Sequence, residues 1–503
     1  PLLSAGACLA PVLVVLASTL GCAPQAEQEP AVAPQVVEIP VTTSSEAAMA
    51  HFEAGQEALD VGRGVKANQH FEASVAEDPG FSYGYMNRAN SALSAVEFRE
   101  SLDAAMAQIE GKSEGERLLI EINQTFLTND SDRGLELAET LVEHYPDSPR
   151  AWLALAGIQG TRNEHDAARE SMNKALQLDP ESVAAVVGLG ISYLFSEPKD
   201  FKQARQYMER FIDLRPDEAK AYEGLGDVNR ALKQLDAALD AYTQATDTDP
   251  TLAVAQLKKG HVNSFLDNYG EARAAYDAAV EAANPQSKAT YANFRAFTHI
   301  HAGDVPAALD EMMELADSVA EMGTPEDQVK GIQIFTLTNY ATAALHHGDL
   351  GEAAKLVARR NALVREVGEE VGGEDFKRLQ EANALIWEGL LAARQGNFDL
   401  AVEKAEANAE LLENDNNPRK MEPYHRVIGL VHLLQGDYAK AVEHYRQANL
   451  NTMYIKFHLA QALEGLGETE EARRLFKEVS EWNFNSVGFA LVHEEAAARA
   501  ASI

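Results

Sequence analysis

Cysteine is nearly absent from this 503-residue chain, where only Cys8 and Cys22 occur. Neither sits in a CxxC or CxxCH arrangement, which excludes a cysteine zinc site and c-type haem attachment. If the chain is cut before Cys22, one cysteine remains, no internal disulfide can form, and stability has to come from packing. Basic residues are also scarce, 43 Lys and Arg against 78 Asp and Glu, for a formal net charge of −35. With no basic stripe interleaved with aromatics, nucleic acid is not an expected partner. The acidic surplus reads as a solvated surface that keeps a long chain soluble, or as a preference for basic partners. The β-branched and aromatic clusters that build strands are sparse, whereas Ala, Leu and Glu dominate, which points to an all-α fold. Catalytic patterns are missing as well. There is no GxGxxG after a strand, no GxxxxGK followed by Ser or Thr, no HExxH and no GxSxG. No enzyme activity, cofactor or metal is therefore expected.

The chain does contain a period. From Ala219 to Ala253, Tyr222, Leu225 and Gly226 belong to one helical segment, and Ala238, Tyr242 and Ala245 to a second, closed by Pro250. Small residues at Gly226 and Ala238 let two antiparallel helices approach, and the large neighbours fill the space beside the contact. One repeat later the pattern recurs: Gly226 becomes Gly260, Ala238 becomes Ala272, Tyr242 becomes Tyr276 and Ala245 becomes Ala279. One repeat earlier, Ala204 and Met208 take the places of Ala238 and Tyr242. This order resembles the tetratricopeptide repeat (TPR), a helical hairpin of about 34 residues. The resemblance implies a right-handed α-solenoid of about twelve TPR-like hairpins, ended by a C-terminal capping helix. It also implies that the first helix of each hairpin lines a concave surface.

In chain order, residues 1–21 are expected to be a signal peptide, N-terminally incomplete in this numbering. Residues 2–21 carry no charge, and the apolar run Leu9 to Leu20 leads into Gly21-Cys22. Thr19-Leu20-Gly21-Cys22 resembles a lipobox, which implies lipidation at Cys22; an ordinary signal peptide and an uncleaved anchor are the alternatives. Ala23 after that cysteine implies sorting to the outer membrane, facing the periplasm or the cell surface. Residues 22–45 contain Pro24, Pro30, Pro34 and Pro40 and read as an extended, lipid-anchored tether. Residues 46–285 form a block of repeats near the 34-residue period. Residues 286–481 carry longer TPR-like hairpins, marked by turns at Gly303-Asp304, Gly348-Asp349, Gly396-Asn397, Gly436-Asp437 and Gly467-Glu468. At each turn glycine suits the left-handed end of one helix, and Asp or Asn can cap the next. Residues 482–503 remain as the capping helix.

Apolar or hydrogen-bonding side chains at positions that should face the groove mark a candidate partner site. They are Val187, Ile191 and Phe195 in hairpin 5, Asn293, Phe297 and His301 in hairpin 8, and Phe335, Thr338, Thr342 and His346 in hairpin 9. Phe297 and Phe335 are the expected anchors. His301 with His346 would make capture pH-sensitive between about pH 5 and 7. The competing reading is that later repeats, or the core itself, cover these side chains. The function expected is a non-catalytic protein–protein interaction scaffold at the bacterial cell envelope, taking an unidentified peptide or helix in the groove. Two alternatives stand beside it: an accessory lipoprotein of a secretion, pilus or polysaccharide-export assembly, and a solenoid that self-assembles into oligomers or fibres.

Overall fold

The computed structural model describes residues 37–503. The expected signal segment, Cys22 and residues 22–36 of the expected tether lie outside the described residues. Among the described residues there are twenty-five helices and no strand. Hairpin 1 pairs α1 (Glu46–Asp60) with α2 (Gly64–Glu77), and hairpin 2 pairs α3 (Ser82–Asn90) with α4 (Ala95–Ala107). Hairpin 3 is α5 (Glu114–Thr128) with α6 (Ser131–His144), and hairpin 4 is α7 (Pro149–Thr161) with α8 (His165–Leu178). Hairpins 5 to 7 are α9 (Val183–Phe195) with α10 (Phe201–Leu214), α11 (Ala219–Ala231) with α12 (Leu235–Thr248), and α13 (Ala253–Phe265) with α14 (Tyr269–Ala282). Hairpins 8 and 9 are α15 (Pro285–His301) with α16 (Val305–Ser318) and α17 (Glu326–His347) with α18 (Leu350–Val371). Hairpins 10 to 12 are α19 (Glu374–Arg394) with α20 (Phe398–Leu411), α21 (Glu422–Gln435) with α22 (Tyr438–Tyr445), and α23 (Met453–Leu466) with α24 (Thr469–Ser480). The twelve hairpins are followed by α25 (Val487–Ser502).

One small residue facing one large residue fastens each regular hairpin. A side chain at Gly226 would collide with the Tyr242 ring, which is fully buried. In hairpin 7 a Cβ at Gly260 would lie 2.5 Å from Tyr276, and in hairpin 1 a Cβ at Gly55 would lie 2.6 Å from Phe71. The glycine is a packing requirement here, because it is the space for the ring. Burying one such ring contributes about 2 kcal/mol. On the second helices, Ala238, Ala272, Ala308, Ala353, Ala401, Ala441 and Ala472 are all fully buried, as the repeat phase predicts.

The turns also follow the sequence. Gly303, Gly348, Gly396, Gly436 and Gly467 all have positive φ. The side chains of Asp304, Asp349, Asn397 and Asp437 accept hydrogen bonds from the backbone N–H groups of Ala307, Glu352, Leu400 and Lys440, capping the next helix. The wider turn spacing has two sources. α17 and α18 run to 22 residues and α19 to 21, whereas hairpin 10 is joined to hairpin 11 by the non-helical residues 412–421. Hairpins 11 and 12 return to short helices, with only eight residues in α22.

Residues 37–45, the last part of the expected tether, are docked. The Ile39 side chain is buried, Thr42 donates its N–H to Glu116 Oε1 at 2.8 Å, and Thr43 Oγ1 donates to Asp78 Oδ2 at 2.6 Å. The solenoid also closes on itself. Ser94 Oγ donates to Asp327 at 2.8 Å, Asn129 Nδ2 to Asp415 at 2.8 Å, and Asn163 Nδ2 to Glu422 at 3.0 Å. These bonds join hairpins 2 to 4 to hairpin 9 and to the region around residues 412–422.

α25 caps the last hairpin, as expected, and also reaches beyond it. It packs against α15, α17 and α23 as well as α24, burying Val487, Phe489, Ala490, Val492 and Ala496. These apolar residues follow a helical period and need a covered surface, and the inner side of the solenoid supplies it.

Candidate functional site

The repeat places the C-terminal residues of successive first helices one above the next on the inner surface. In hairpins 5 to 8 this row is Phe195, Arg230, Phe265 and His301. The chain between α24 and α25 runs along it. Trp482 packs edge-on against Phe195, with centroids 6.1 Å apart, and Phe484 does so at 4.9 Å. The Arg230 guanidinium carbon stands 4.4 Å from the Phe484 ring centroid, and Asn483 Nδ2 donates to the Arg230 carbonyl at 3.3 Å. Asn485 Nδ2 donates to the Tyr276 hydroxyl at 3.0 Å, and its Oδ1 lies 3.1 Å from His301 Nε2. Phe489 then packs on Phe265 and His301, and His493 on His301 at 4.8 Å. The non-helical residues 482–486 and the first two turns of α25 thus occupy the groove as a ligand would, almost one rung per contact.

Behind this row lies a buried charge network. Asp227 accepts from Arg230 and from the Tyr242 hydroxyl, each at 2.7 Å, while Lys258 sits between Glu223 and Asp227. Arg230 Nη1 lies 3.0 Å from His261 Nδ1. Burial, reinforced by Arg230, pushes the His261 pKa well down, so the ring is neutral and accepts at Nδ1.

The residues nominated from sequence separate into three groups. Val187, Ile191 and Phe195 do line a groove cavity, of about 130 Å³, with Ile191 47% exposed. Its other walls include Val61 and Gly62 from the turn of hairpin 1, held there by Arg63 pairing with Glu218 and Asp249, each at 2.8 Å. Asn293, Phe297 and His301 are instead core residues, 0%, 1% and 2% exposed. Asn293 Nδ2 donates to Thr336 Oγ1 at 3.0 Å, Phe297 belongs to the largest apolar cluster, and His301 lies under Asn485 and Phe489. They were misplaced because the longer α15 is wrapped by α17 and α25 on the side that a regular hairpin leaves open. In the third group, Phe335 is 38% exposed and lines none of the cavities described here. Thr338 Oγ1 accepts from Arg360 Nε at 2.9 Å, Thr342 lines a small hollow in hairpins 9 to 12, and His346 Nδ1 lies 3.0 Å from the Tyr454 hydroxyl.

The expected histidine switch between pH 5 and 7 does not follow. Burial, with His493 adding to it, brings the His301 pKa down to about 4; burial, with Arg394 adding to it, does the same for His346. Both rings are neutral through that range.

An open groove lies elsewhere, on the inner side of hairpins 1 to 5. It encloses about 670 Å³. Its floor includes Ile39, Met49, Phe52, Val61, Leu153 and Val183. Its walls carry the carboxylates of Glu38, Glu53, Glu57, Asp60, Asp179 and Glu181 against the guanidinium groups of Arg150 and Arg215. Arg150 is already committed to Asp60 through two bonds, at 2.6 and 2.8 Å. Sequence reasoning missed this groove because its parts come from four separate hairpins, 1, 2, 4 and 5, plus the extended residues 38–41. A signal was present: Glu53, Glu57 and Asp60 recur at helical spacing on α1 beside the apolar Met49 and Phe52.

Tetratricopeptide-repeat models match residues 128–183 and 199–253, and another model of the repeat matches residues 253–285. Those stretches carry tetratricopeptide repeats. The chain is 26% identical over 170 residues to anaphase-promoting complex subunit 3 of Schizosaccharomyces pombe, over 27% of this chain and 25% of that protein. It therefore spans about a quarter of that relative's length. Among solved structures, the APC/C hetero-tetramer Cut9–Hcn1 is similar over 88% of this chain and 78% of that one, at 15% identity and a TM-score of 0.39. YrrB, described as a TPR protein with an unusual peptide-binding site, is similar over 36% of this chain and 91% of that one, at 20% identity and a TM-score of 0.26. MamA is similar over 34% of this chain and 96% of that one, at 21% identity and a TM-score of 0.27.

Proposed function

We propose that the protein is a non-catalytic protein–protein interaction scaffold whose open concave groove, in hairpins 1 to 5, takes a basic amphipathic peptide or helix. The observation that carries this reading is the contrast between the two grooves. The groove of hairpins 5 to 8 is filled by residues 482–493, whereas the 670 Å³ groove of hairpins 1 to 5 has an apolar floor and an excess of carboxylates. Apolar side chains of a bound helix would bury on the floor, and Lys or Arg on its flanks would meet Glu53, Glu57 and Glu181. Ion pairs at such a rim act mainly on association rate and selectivity, and apolar burial supplies most of the affinity.

The setting belongs to the same proposal. Export and attachment through a lipidated Cys22, at an outer membrane and facing the periplasm or the cell surface, are supported by the apolar run Leu9 to Leu20 and by Gly21-Cys22. A role as an accessory lipoprotein of an envelope assembly is compatible with this reading; fibre formation by stacking is the remaining alternative.

The test uses the full chain and a fluorescent basic amphipathic helix of defined sequence. Glu53→Lys with Glu57→Lys should weaken binding about tenfold or more and remove most of its salt dependence. Binding that is equal in both proteins, or crosslinks that map to hairpins 6 to 8, would exclude this groove as the site.

A further inference from the structure

Hairpins 9, 10 and 11 contribute three arginines, Arg360 on α18, Arg394 on α19 and Arg426 on α21. Among the described residues none of them has a carboxylate partner, in a chain with 78 Asp and Glu. Arg360 is buried, and its bonds go to the neutral oxygens of Thr338, Asn361 and Asn383, at 2.9, 2.8 and 2.5 Å. Arg394 Nη2 contacts the Tyr454 hydroxyl at 3.4 Å and His458 Nε2 at 3.3 Å. Arg426 makes no hydrogen bond to a described residue, and its guanidinium carbon lies 5.7 Å from the Trp387 ring centroid. Arg360 lies 4.8 Å from the same ring. The Trp387 face offsets part of the cost of burying these cations, yet two like charges sharing one ring still repel.

Arg394 and Arg426 both line a small hollow with Thr342, Trp387, Tyr445 and His458. Among the described residues the buried Tyr445 hydroxyl has no hydrogen-bond partner there, and a buried hydroxyl left without a partner is costly. A space of about 20 Å³, the size of one water molecule, remains between these groups. Arg394, Leu430 and His458 also line a neighbouring open hollow of about 380 Å³, which gives the small one a way in. The one carboxylate among the residues lining the open hollow, Glu464, is taken by Arg499.

We propose that Arg394, Arg426 and Tyr445 form a binding site for one carboxylate group, which enters through the open hollow of hairpins 10 to 12. Arg426 and Arg394 supply charge-assisted donors and Tyr445 a neutral one, so a planar two-oxygen anion, admitted by a shift of side chains toward the open hollow, satisfies the Arg426 guanidinium and the Tyr445 hydroxyl, neither of which bonds to a described residue. The chemistry is shared by a free small carboxylic acid and by a Glu or Asp side chain of a partner peptide whose apolar neighbours rest on Leu433, Leu434 and Tyr438. The site stands apart from the acidic groove of hairpins 1 to 5 and does not depend on that reading.

The test is titration of the full chain with sodium acetate, with sodium chloride at the same ionic strength as reference, read by thermal melting and by Trp fluorescence. The wild-type chain should be stabilised by acetate beyond the chloride reference. Arg426→Gln and Tyr445→Phe should each lower acetate affinity about tenfold. Tyr445→Phe keeps the packed ring, so it decides the matter alone if Arg426→Gln fails to fold. An acetate response that is equal in wild type and Tyr445→Phe overturns the proposal. Free glutarate, a blocked Leu-Glu-Leu peptide and its Leu-Gln-Leu analogue then separate the sources. Tighter binding of the Glu peptide than of glutarate assigns the site to a partner side chain, and the reverse assigns it to a free acid. Equal binding of the Glu and Gln peptides excludes a partner side chain as the occupant.

Discussion

Arg230 lies with its guanidinium carbon 4.4 Å from the ring centroid of Phe484, and its own backbone carbonyl accepts a bond from the neighbouring Asn483. A side chain of hairpin 6 thereby binds the C-terminal segment by cation–π contact and by backbone at once. Phe484→Ala with Asn485→Ala should loosen residues 482–493 from the groove while helix content stays high. Hydrogen exchange should rise in α25 and along the inner ends of α9, α11 and α15, with a stability loss of roughly 2 kcal/mol or more. If exchange in α25 does not change, the segment is not held by these contacts.

Phe297 and Phe335 should part company. Phe297→Ala removes a fully buried ring and should cost about 3–5 kcal/mol, whereas Phe335→Ala on a part-exposed ring should cost under ~1 kcal/mol. Circular-dichroism melting of the two single variants checks this, and similar midpoints would contradict the burial described for Phe297.

Ala238→Trp should overpack hairpin 6 by about 1–3 kcal/mol or more, since Ala238 has no exposed surface and lies where the two helices meet. The exposed Lys174 is a suitable control as Lys174→Ala. Lys233 is a poor one, because its φ is +61° and it pairs with Glu481 at 2.6 Å. Equal melting of Ala238→Trp and Lys174→Ala would refute the hairpin packing.

Stability should fall on mild acidification. His301 and His346 are held neutral in the folded chain down to about pH 4, whereas an unfolded histidine takes up its proton near pH 6.5. Unfolding therefore binds protons between those values. The stabilisation is full above about pH 6.5 and is lost as the pH drops toward 4, up to ~3 kcal/mol for the buried His301. Urea unfolding at a series of pH values gives the slope, and His301→Gln should flatten it. A flat profile from pH 6.5 to 5 in the wild-type chain would contradict the burial of these rings.

Much of the architecture was legible before any coordinates. The 34-residue recurrence of Gly226 and Ala238 against Tyr242 encodes a local contact, one glycine facing one ring, and local contacts repeat in sequence. The positive-φ turns at Gly348 and Gly436 were legible for the same reason. The sites were not, because they depend on which hairpins meet after the solenoid has closed. Nothing near Phe195 in sequence announces that Phe484 covers it. Asn293 and Phe297 looked partner-facing by repeat phase, and only the 22-residue α17 with α25 turns that face inward. Arg426 next to Tyr445 reads as two ordinary helix residues until hairpins 10 to 12 bring them around Trp387.

The path of residues 482–493 has a consequence in time. They follow all twelve hairpins in chain order, and a chain made from its N-terminus can fold its early repeats before its last residues exist. Throughout that interval the row of Phe195, Arg230, Phe265 and His301 stands uncovered. An extended segment of another molecule with suitably spaced aromatic and amide side chains could then take the place that Phe484 and Asn485 later fill. Once α25 has docked, the same surface opens only by releasing it. For the groove of hairpins 5 to 8, the period of synthesis is thus the natural window for exchange with other chains.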